Sequence, residues 1–162
     1  MMAKIQCMAK VTEVSVLAEG IVSMWLSAPG VAKSAKPGQF ISLYCDNSDT
    51  LLPRPISLCE VNQKDGLLRI VFRIVGAGTK KFAAKKKDDE IRILGPLGNG
   101  FPLDACEKDK TAVLIGGGIG IPPLLELQSN CLAKQRWWLA TEMPMLLRKN
   151  GRGGRPCCNC FR

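Results

Sequence analysis

The chain has 162 residues, 46% of them hydrophobic and 23% charged, which suits one globular domain with the start of a second and excludes wholesale disorder. It contains no histidine, so hydrolytic triads and zinc sites that depend on histidine are excluded. The formal net charge of +9 does not indicate nucleic-acid binding, because the lysines at 85–87 are followed at once by acidic residues at 88–90, as on a solvated surface.

Six short strands rich in β-branched and apolar residues are predicted before residue 100. Turn residues separate them, and Thr79 is expected to cap a short helix that runs to about Lys86. Strands at this spacing are typical of a small closed or nearly closed antiparallel barrel. The predicted strands are 8–17, 21–27, 40–45, 55–61, 67–75 and 90–94.

The pattern changes after the barrel. An uninterrupted apolar run at 112–115 is typical of a buried parallel strand, and a glycine-rich turn and a helix-compatible segment at 122–127 follow it. This order predicts the first βα unit of an α/β nucleotide-binding domain. We therefore divide the chain into a barrel domain at 1–106, an incomplete α/β domain at 107–127 and an atypical, irregular tail at 128–162.

Arg54 is the first candidate for a binding residue. It lies between Pro53 and Pro55, which favour an extended backbone and would project the guanidinium from the beginning of a strand. A fixed guanidinium suits a pyrophosphate, because its planar fork donates paired, charge-assisted hydrogen bonds. On these residues alone, a surface arginine at a proline-rich strand entrance is an equally good interpretation.

Three glycine-rich turns follow Arg54 in the chain. Gly76-Ala77-Gly78-Thr79 could bring backbone N–H groups at a helix start close to a phosphate, and the turn at 95–101 holds more glycine than a simple reversal needs. The third turn, Gly116–Gly120, does not match the dinucleotide fingerprint GxGxxG. Each turn alone is also explained by ordinary strand-to-helix packing.

Taken in order, these motifs resemble the ferredoxin-reductase superfamily, and within it the electron-transfer subunit of dihydroorotate dehydrogenase B. The resemblance covers about residues 8–127 and rests on RPIS at 54–57, GAGT at 76–79, GPLGNGF at 95–101 and GGGIGIPPLLEL at 116–127. It implies an FAD-binding Greek-key barrel, followed by a domain that binds NADH so that a hydride passes to the flavin.

The resemblance also implies roles for individual residues. Arg54 would pair with the FAD pyrophosphate, and Pro55, Ile56 and Ser57 would lie along the flavin with the serine near its reactive edge. Val71, Phe72 and Arg73 would line the adenylate side, while Gly78 and Thr79 would hold phosphate at the helix start. The nicotinamide nucleotide would face the turn that contains Gly116, Gly117, Gly118 and Gly120.

In the family, electrons would leave through a [2Fe-2S] cluster for an FMN-containing catalytic subunit that oxidises dihydroorotate in pyrimidine (UMP) biosynthesis. The implied state is therefore a hetero-oligomer in which this chain is an electron-transfer subunit rather than a complete enzyme. Two other functions stay open. The first is the flavin subunit of a related reductase, of the hydrogenase, sulfide dehydrogenase or flavin reductase type, or a non-functional fragment of such a subunit. The second is a basic binding module.

The last 35 residues depart from the family. They hold seven Lys or Arg against one acidic residue, and Cys157, Cys158 and Cys160 form a compact CCxC that does not match the spread spacing of the family's cluster ligands. We therefore predict no metal ligands, and a frameshift or truncation near residue 128 rather than a genuine divergent tail. The single cysteines Cys7, Cys45, Cys59 and Cys106 are expected to be small buried hydrophobes.

The compartment is predicted from two features of the chain. No apolar run of about 18 residues occurs, so no membrane span is expected. The N-terminus also lacks an apolar leader segment, so the eight cysteines are expected to be thiols or ligands rather than disulfides. Both features favour a cytoplasmic location.

Overall fold

Six antiparallel strands close into a barrel in the computed structural model, which describes residues 4–45, 52–105 and 109–139. The strands are β1 (Ile5–Ala18), β2 (Ile21–Ser27), β3 (Phe40–Leu43), β4 (Arg54–Asn62), β5 (Leu67–Arg73) and β6 (Glu90–Leu97). Their order around the barrel is β1-β2-β5-β4-β3-β6, which contains two overlapping Greek keys. The predicted Greek-key barrel and its six strands are confirmed.

The barrel closes around an apolar core because alternate residues of each strand point inward. In β1, for example, Ala9 and Val11 are buried while Met8 and Lys10 are exposed. The largest fully buried side chains include Met24, Leu26, Ile41, Leu43, Leu58, Leu68, Ile70, Phe72, Phe82, Ile91 and Ile93. This core holds the strands in one register and so fixes the outer face on which the candidate site lies.

Two helices accompany the barrel. A single turn, α1 (Pro29–Ala32), follows β2, and α2 (Ala77–Ala83) follows β5 and buries Phe82 against the core. The sequence predicts a helix from Thr79 to about Lys86, but α2 begins and ends earlier. Thr79 is therefore in the first turn of α2 rather than at its N-cap, which is Gly76.

A parallel α/β segment follows the barrel. It consists of β7 (Thr111–Gly116), a short 3-10 turn at 118–120, α3 (Pro122–Asn130) and β8 (Lys134–Leu139), which pairs in parallel with β7. In the described part of the chain no helix is long and apolar enough to cross a membrane.

The α/β segment extends further than the sequence predicts. The first βα unit is expected to end at residue 127, but α3 continues to Asn130 and β8 occupies part of the predicted irregular tail. Residues 134–139 form a strand because pairing with β7 satisfies the backbone groups of this stretch. The remaining tail, 140–162, lies outside the described residues. The domain boundary after residue 106 falls at the undescribed residues 106–108 and stays a prediction.

Candidate functional site

Arg54 and the start of α2 lie against each other. Arg54 opens β4 opposite Leu43, and its Nη1 donates a 2.7 Å hydrogen bond to the carbonyl of Leu52. A Cβ added to Gly78 would lie only 2.8 Å from Arg54 Nε, so the guanidinium lies directly on the first turn of α2. A fixed cation beside a helix start favours an anion at this position.

Thr79 shapes the turn that leads into α2. Its Oγ1 accepts hydrogen bonds from the N–H groups of Val75 (3.0 Å) and Gly76 (3.1 Å), and it donates to the Gly76 carbonyl (3.0 Å). These contacts use the hydroxyl's donor and both of its acceptor positions. The side chain of buried Thr79 therefore shapes the turn, and the phosphate contact that the resemblance implies for this residue is left to its backbone. Gly76 leaves open space where a side chain would stand.

The first half of β4 presents a solvent-facing surface. Pro55 and Ser57 are exposed on the outer face of the barrel, whereas Ile56 points inward and packs against the core. A planar group laid on this surface would touch the side chains of Pro55 and Ser57. Ile56 could offer it only backbone atoms.

The end of β5 lies beside this surface. The β4–β5 ladder begins at Leu58 and Ile70, so the stretches 54–57 and 71–73 diverge from one another there. The side chains of Val71 and Phe72 are buried and that of Arg73 is exposed. Of the three residues that the resemblance assigns to the adenylate side, only Arg73 could therefore offer its side chain, and Val71 and Phe72 could offer their backbone.

The turn after β7 approaches the barrel at the same strand. A Cβ on Gly116 would lie 2.8 Å from Leu124 Cδ1, so glycine lets α3 pack across the end of β7. Gly118 has φ +52°, a left-handed conformation that favours glycine. The 3-10 turn at 118–120 contacts β5, and both Gly118 and Gly120 leave open space where a Cβ would point.

The glycine-rich loop at 95–101 is held against the turn before β3. Gln39 is buried and donates from Nε2 to the carbonyl of Gly98 (2.7 Å), and Phe101 N–H donates to the carbonyl of Pro37 (2.8 Å). Phe40 pairs with Ser57 on one side and with Leu97 on the other. The loop therefore lies one strand away from Ser57.

Two buried charged features were not found in the sequence. Arg69 forms an ion pair with Glu60 on the outer face of the barrel, and its guanidinium lies 5.9 Å from the centre of the Trp25 ring. Glu126 of α3 is 9% exposed, and burial raises the pKa of its carboxyl above the ordinary value. One feature of the sequence could have revealed Glu126, because it is the one acidic residue in the apolar stretch 121–127.

The described cysteines are free thiols. Cys59 is fully buried, which raises the pKa of its thiol to about 12 and leaves it a small apolar side chain. This confirms the expectation for Cys59, while Cys7 and Cys45 are only half-buried. Residues 4–45, 52–105 and 109–139 contain no group of three or more side chains able to hold a metal ion. Cys106, Cys157, Cys158 and Cys160 lie outside the described residues.

Curated proteins similar to this chain are electron-transfer subunits of dihydroorotate dehydrogenase B. The subunit from Geobacillus kaustophilus (strain HTA426) is 46% identical over 112 residues, which are 68% of this chain and 44% of that protein. The subunit from Bacillus cereus (strain B4264) is 41% identical over 119 residues, which are 73% of this chain and 46% of that protein. The chain thus spans less than half of the length of these relatives. No family model matches it.

Solved structures of reductases share the fold. An NADH-dependent reduced ferredoxin-NADP oxidoreductase matches with a TM-score of 0.71 and 26% identity, covering 85% of this chain and 50% of that one. Phthalate dioxygenase reductase matches with a TM-score of 0.66 and 23% identity, covering 86% and 45%.

The barrel, the α/β segment and these neighbours define the ferredoxin-reductase class of fold. Within that class, the aligned residues are homologous to the electron-transfer subunit of dihydroorotate dehydrogenase B, and the resemblance inferred from the motifs is confirmed.

Proposed function

We propose that this chain binds FAD on the outer face of its barrel and acts as the electron-transfer subunit of a dihydroorotate dehydrogenase. One observation carries the proposal: the Arg54 guanidinium lies on the first turn of α2 at Gly78, beside the place where β4 and β5 diverge. Homology to subunits of that name supports the choice of reaction. FAD would supply the redox chemistry, accepting a hydride and releasing electrons one at a time.

The residues of the barrel would bind and orient the cofactor. Arg54 and the backbone of α2 at Gly78 and Thr79 would hold the pyrophosphate, because a guanidinium and free N–H groups both favour an anion. Pro55 and Ser57 would lie along the flavin with the backbone of Ile56 between them. Arg73, with the backbone of Val71 and Phe72, would face the adenylate.

The glycine turn would receive the electron donor. Gly116, Gly117, Gly118 and Gly120 would face the nicotinamide nucleotide of NADH. The proposal is supported by the contact of the 118–120 turn with β5 and by the open space above Gly118 and Gly120.

The proposed partner is an FMN-containing catalytic subunit that oxidises dihydroorotate in the cytoplasm, in a hetero-oligomer. The relatives' name supports such a partner. Electrons would pass to it through a [2Fe-2S] cluster, as the resemblance implies, although no ligands for one are recognised in the sequence. A sister reductase is less well supported, because the NADH-dependent oxidoreductase is 26% identical against 46% for the subunit from Geobacillus kaustophilus. Co-purification of a dihydroorotate-oxidising protein would separate the two.

The flavin site is tested by the Arg54→Ala variant. Loss of one partner of a charge-assisted contact costs roughly 1.5 to 3 kcal/mol, so FAD should bind about ten- to a hundred-fold more weakly in a titration followed by flavin fluorescence. Arg92→Ala is the matched control, because Arg92 is exposed on β6 and contacts the Tyr44 ring. Equal FAD affinity in wild type and Arg54→Ala would reject the site.

A further inference from the structure

Among the described strands, none pairs with one edge of the second half of β4. The short strand β3 pairs only with Arg54–Ser57, so beyond Ser57 this edge of β4 runs past the end of β3. The N–H of Leu58 still reaches the carbonyl of Gln39 (3.0 Å). Further along, the N–H of Val61 donates instead to a carboxylate oxygen of Glu126, 2.8 Å away on α3. A side chain therefore replaces a strand as the acceptor for this backbone donor.

The carboxylate of Glu126 is held from both sides. One oxygen accepts from Val61 N–H, and the other accepts from Asn130 Nδ2 at 3.0 Å, one helical turn along α3. Asn130 Nδ2 also donates to the backbone carbonyl of Glu126 at 2.8 Å. Both contacts of the carboxylate, with Val61 and with Asn130, form together in the side-chain conformation that Glu126 adopts.

Apolar packing also holds α3 on the barrel. Leu125 packs with Ile21, Cys59 and Val71 in a small apolar cluster on the outer face of the barrel. On the other side of Glu126, residues of α3, the barrel and the loop at 99–104 line a cleft of about 900 Å³. Leu127 of α3 belongs to a second apolar cluster. Because apolar contacts are non-directional, neither cluster by itself fixes the orientation of α3.

We propose that Glu126 is a positioning residue. It would hold α3, and with it the Gly116–Gly120 turn, in a fixed position beside the outer face of β4 at Pro55 and Ser57, where the flavin is proposed to lie. The turn leads directly into α3, and Gly116 packs under Leu124 and Ile121, so the turn and the helix move as one unit. The hydrogen bond to Val61 ties this unit to the strand that carries Pro55 and Ser57. The inference rests on the proposed function for the meaning of that position, but the contact itself does not depend on flavin.

The test compares Glu126→Ala and Glu126→Gln with the wild type and with Glu13→Gln. Glu13 is an exposed glutamate on β1, so its variant controls for the lost charge. The first measurement is peptide-resolved alkylation of Cys59, which is 0% exposed beneath Leu125. Glu126→Ala should raise the alkylation rate of Cys59 about 10- to 100-fold by local opening of α3. Glu126→Gln keeps one acceptor for Val61 N–H and should give a smaller rise.

Amide hydrogen exchange without flavin gives the second measurement. Exchange should accelerate at Val61 and through 116–127 in Glu126→Ala, while β1 and β2 keep the wild-type rates. Unchanged exchange and alkylation would overturn the inference, and so would equal acceleration in β1, which would indicate a general role in stability. Should Glu126→Ala not fold, Glu126→Gln must show the same pattern at smaller amplitude. Failure of the wild type to bind FAD would reject the proposed function and leave these flavin-free results standing.

Discussion

At the scale of single residues, the site is shaped by side chains that hold backbone in place. The Thr79 hydroxyl accepts hydrogen bonds from the N–H groups of Val75 and Gly76. These bonds fix the turn that places Gly78 against the Arg54 guanidinium. Without the hydroxyl, two N–H groups at the turn would lose their acceptor. A ligand that depends on the shape of this turn would then bind less well, even without direct contact from the hydroxyl.

The Thr79→Val variant tests this role. Valine has nearly the same shape but cannot accept a hydrogen bond, and leaving a partly buried donor unpaired costs roughly 1 to 3 kcal/mol. We expect the midpoint of urea unfolding to fall and FAD affinity to drop with it. Thr79→Ser keeps the hydroxyl and should stay near wild type in both measurements. Loss of FAD affinity in Thr79→Val without loss of stability would instead indicate direct contact of the hydroxyl with the cofactor.

The pH dependence of stability reports on Glu126. Burial is the largest cause of its raised pKa, with a smaller contribution from nearby Glu60, while the hydrogen bonds from Val61 and Asn130 lower it. Because the folded state binds the proton more tightly than the unfolded state, this residue stabilises the fold fully below its ordinary pKa of 4.5. That stabilisation is lost as the pH rises through the folded pKa.

Glu126→Gln removes this titration. The free energy of unfolding of the wild type, relative to that of the variant, should therefore decrease as the pH is raised from about 4 towards neutrality. Urea unfolding at a series of pH values measures it, with Glu13→Gln as the control for an exposed glutamate. A difference that stays constant with pH, or grows as the pH rises, would show that the folded state does not raise this pKa.

The sequence pointed to individual candidate residues but not to the contacts between them. Arg54 and Gly78 were both recognised from local motifs, because prolines and glycines leave local signals. That the guanidinium lies over Gly78 depends on closure of the barrel, which a local pattern does not contain. Glu126 was missed for a related reason, since its partner is the N–H of Val61, sixty-five positions earlier in the chain.

At the scale of secondary-structure elements, the strands of the barrel were predictable and the α/β segment was only partly so. The barrel strands alternate inward and outward residues and end at glycine or proline turns, which are strong local signals. The stretch that forms β8 has no such alternation. Its strand conformation depends on pairing with β7, and tertiary pairing of this kind overrides local propensity.

The docking of α3 on the barrel gives a prediction at this scale. Leu125 is buried in the cluster with Ile21, Cys59 and Val71, and truncation of a buried leucine costs about 2 to 5 kcal/mol. Leu125→Ala should therefore loosen α3 and expose the Gly116–Gly120 turn to protease, while the barrel core persists. Leu132→Ala is the control, because Leu132 is 71% exposed. Equal protease resistance of the two variants would show that this cluster does not hold α3.

At the scale of the whole molecule, the proposed site joins segments that are distant in the chain. Arg54 comes from β4, Gly78 from α2 and Arg73 from the end of β5, and the 118–120 turn reaches β5 from the α/β segment. A ligand that contacts all of them stabilises the folded chain as a unit. At equal concentration, the stabilisation by a ligand rises with its affinity, so a ligand that contacts more of these segments favourably should stabilise the chain more.

A comparison of FAD with FMN shows which parts of the proposed site contribute to binding. At a concentration of a hundred times its Kd, a ligand adds about 2.7 kcal/mol to the free energy of unfolding, which for a chain of this size raises the Tm by several degrees. We expect FAD to produce such a shift, and FMN at the same concentration to produce a much smaller one, because FMN lacks the second phosphate and the adenosine that Arg54 and Arg73 would bind. Arg54→Ala should reduce the FAD shift towards that of FMN, whereas Arg92→Ala should preserve it. Differential scanning fluorimetry measures these shifts in Tm. Equal shifts with FAD and FMN would mean that the protein contacts only the flavin ring and one phosphate. The assignment of Arg54 to the pyrophosphate would then be wrong.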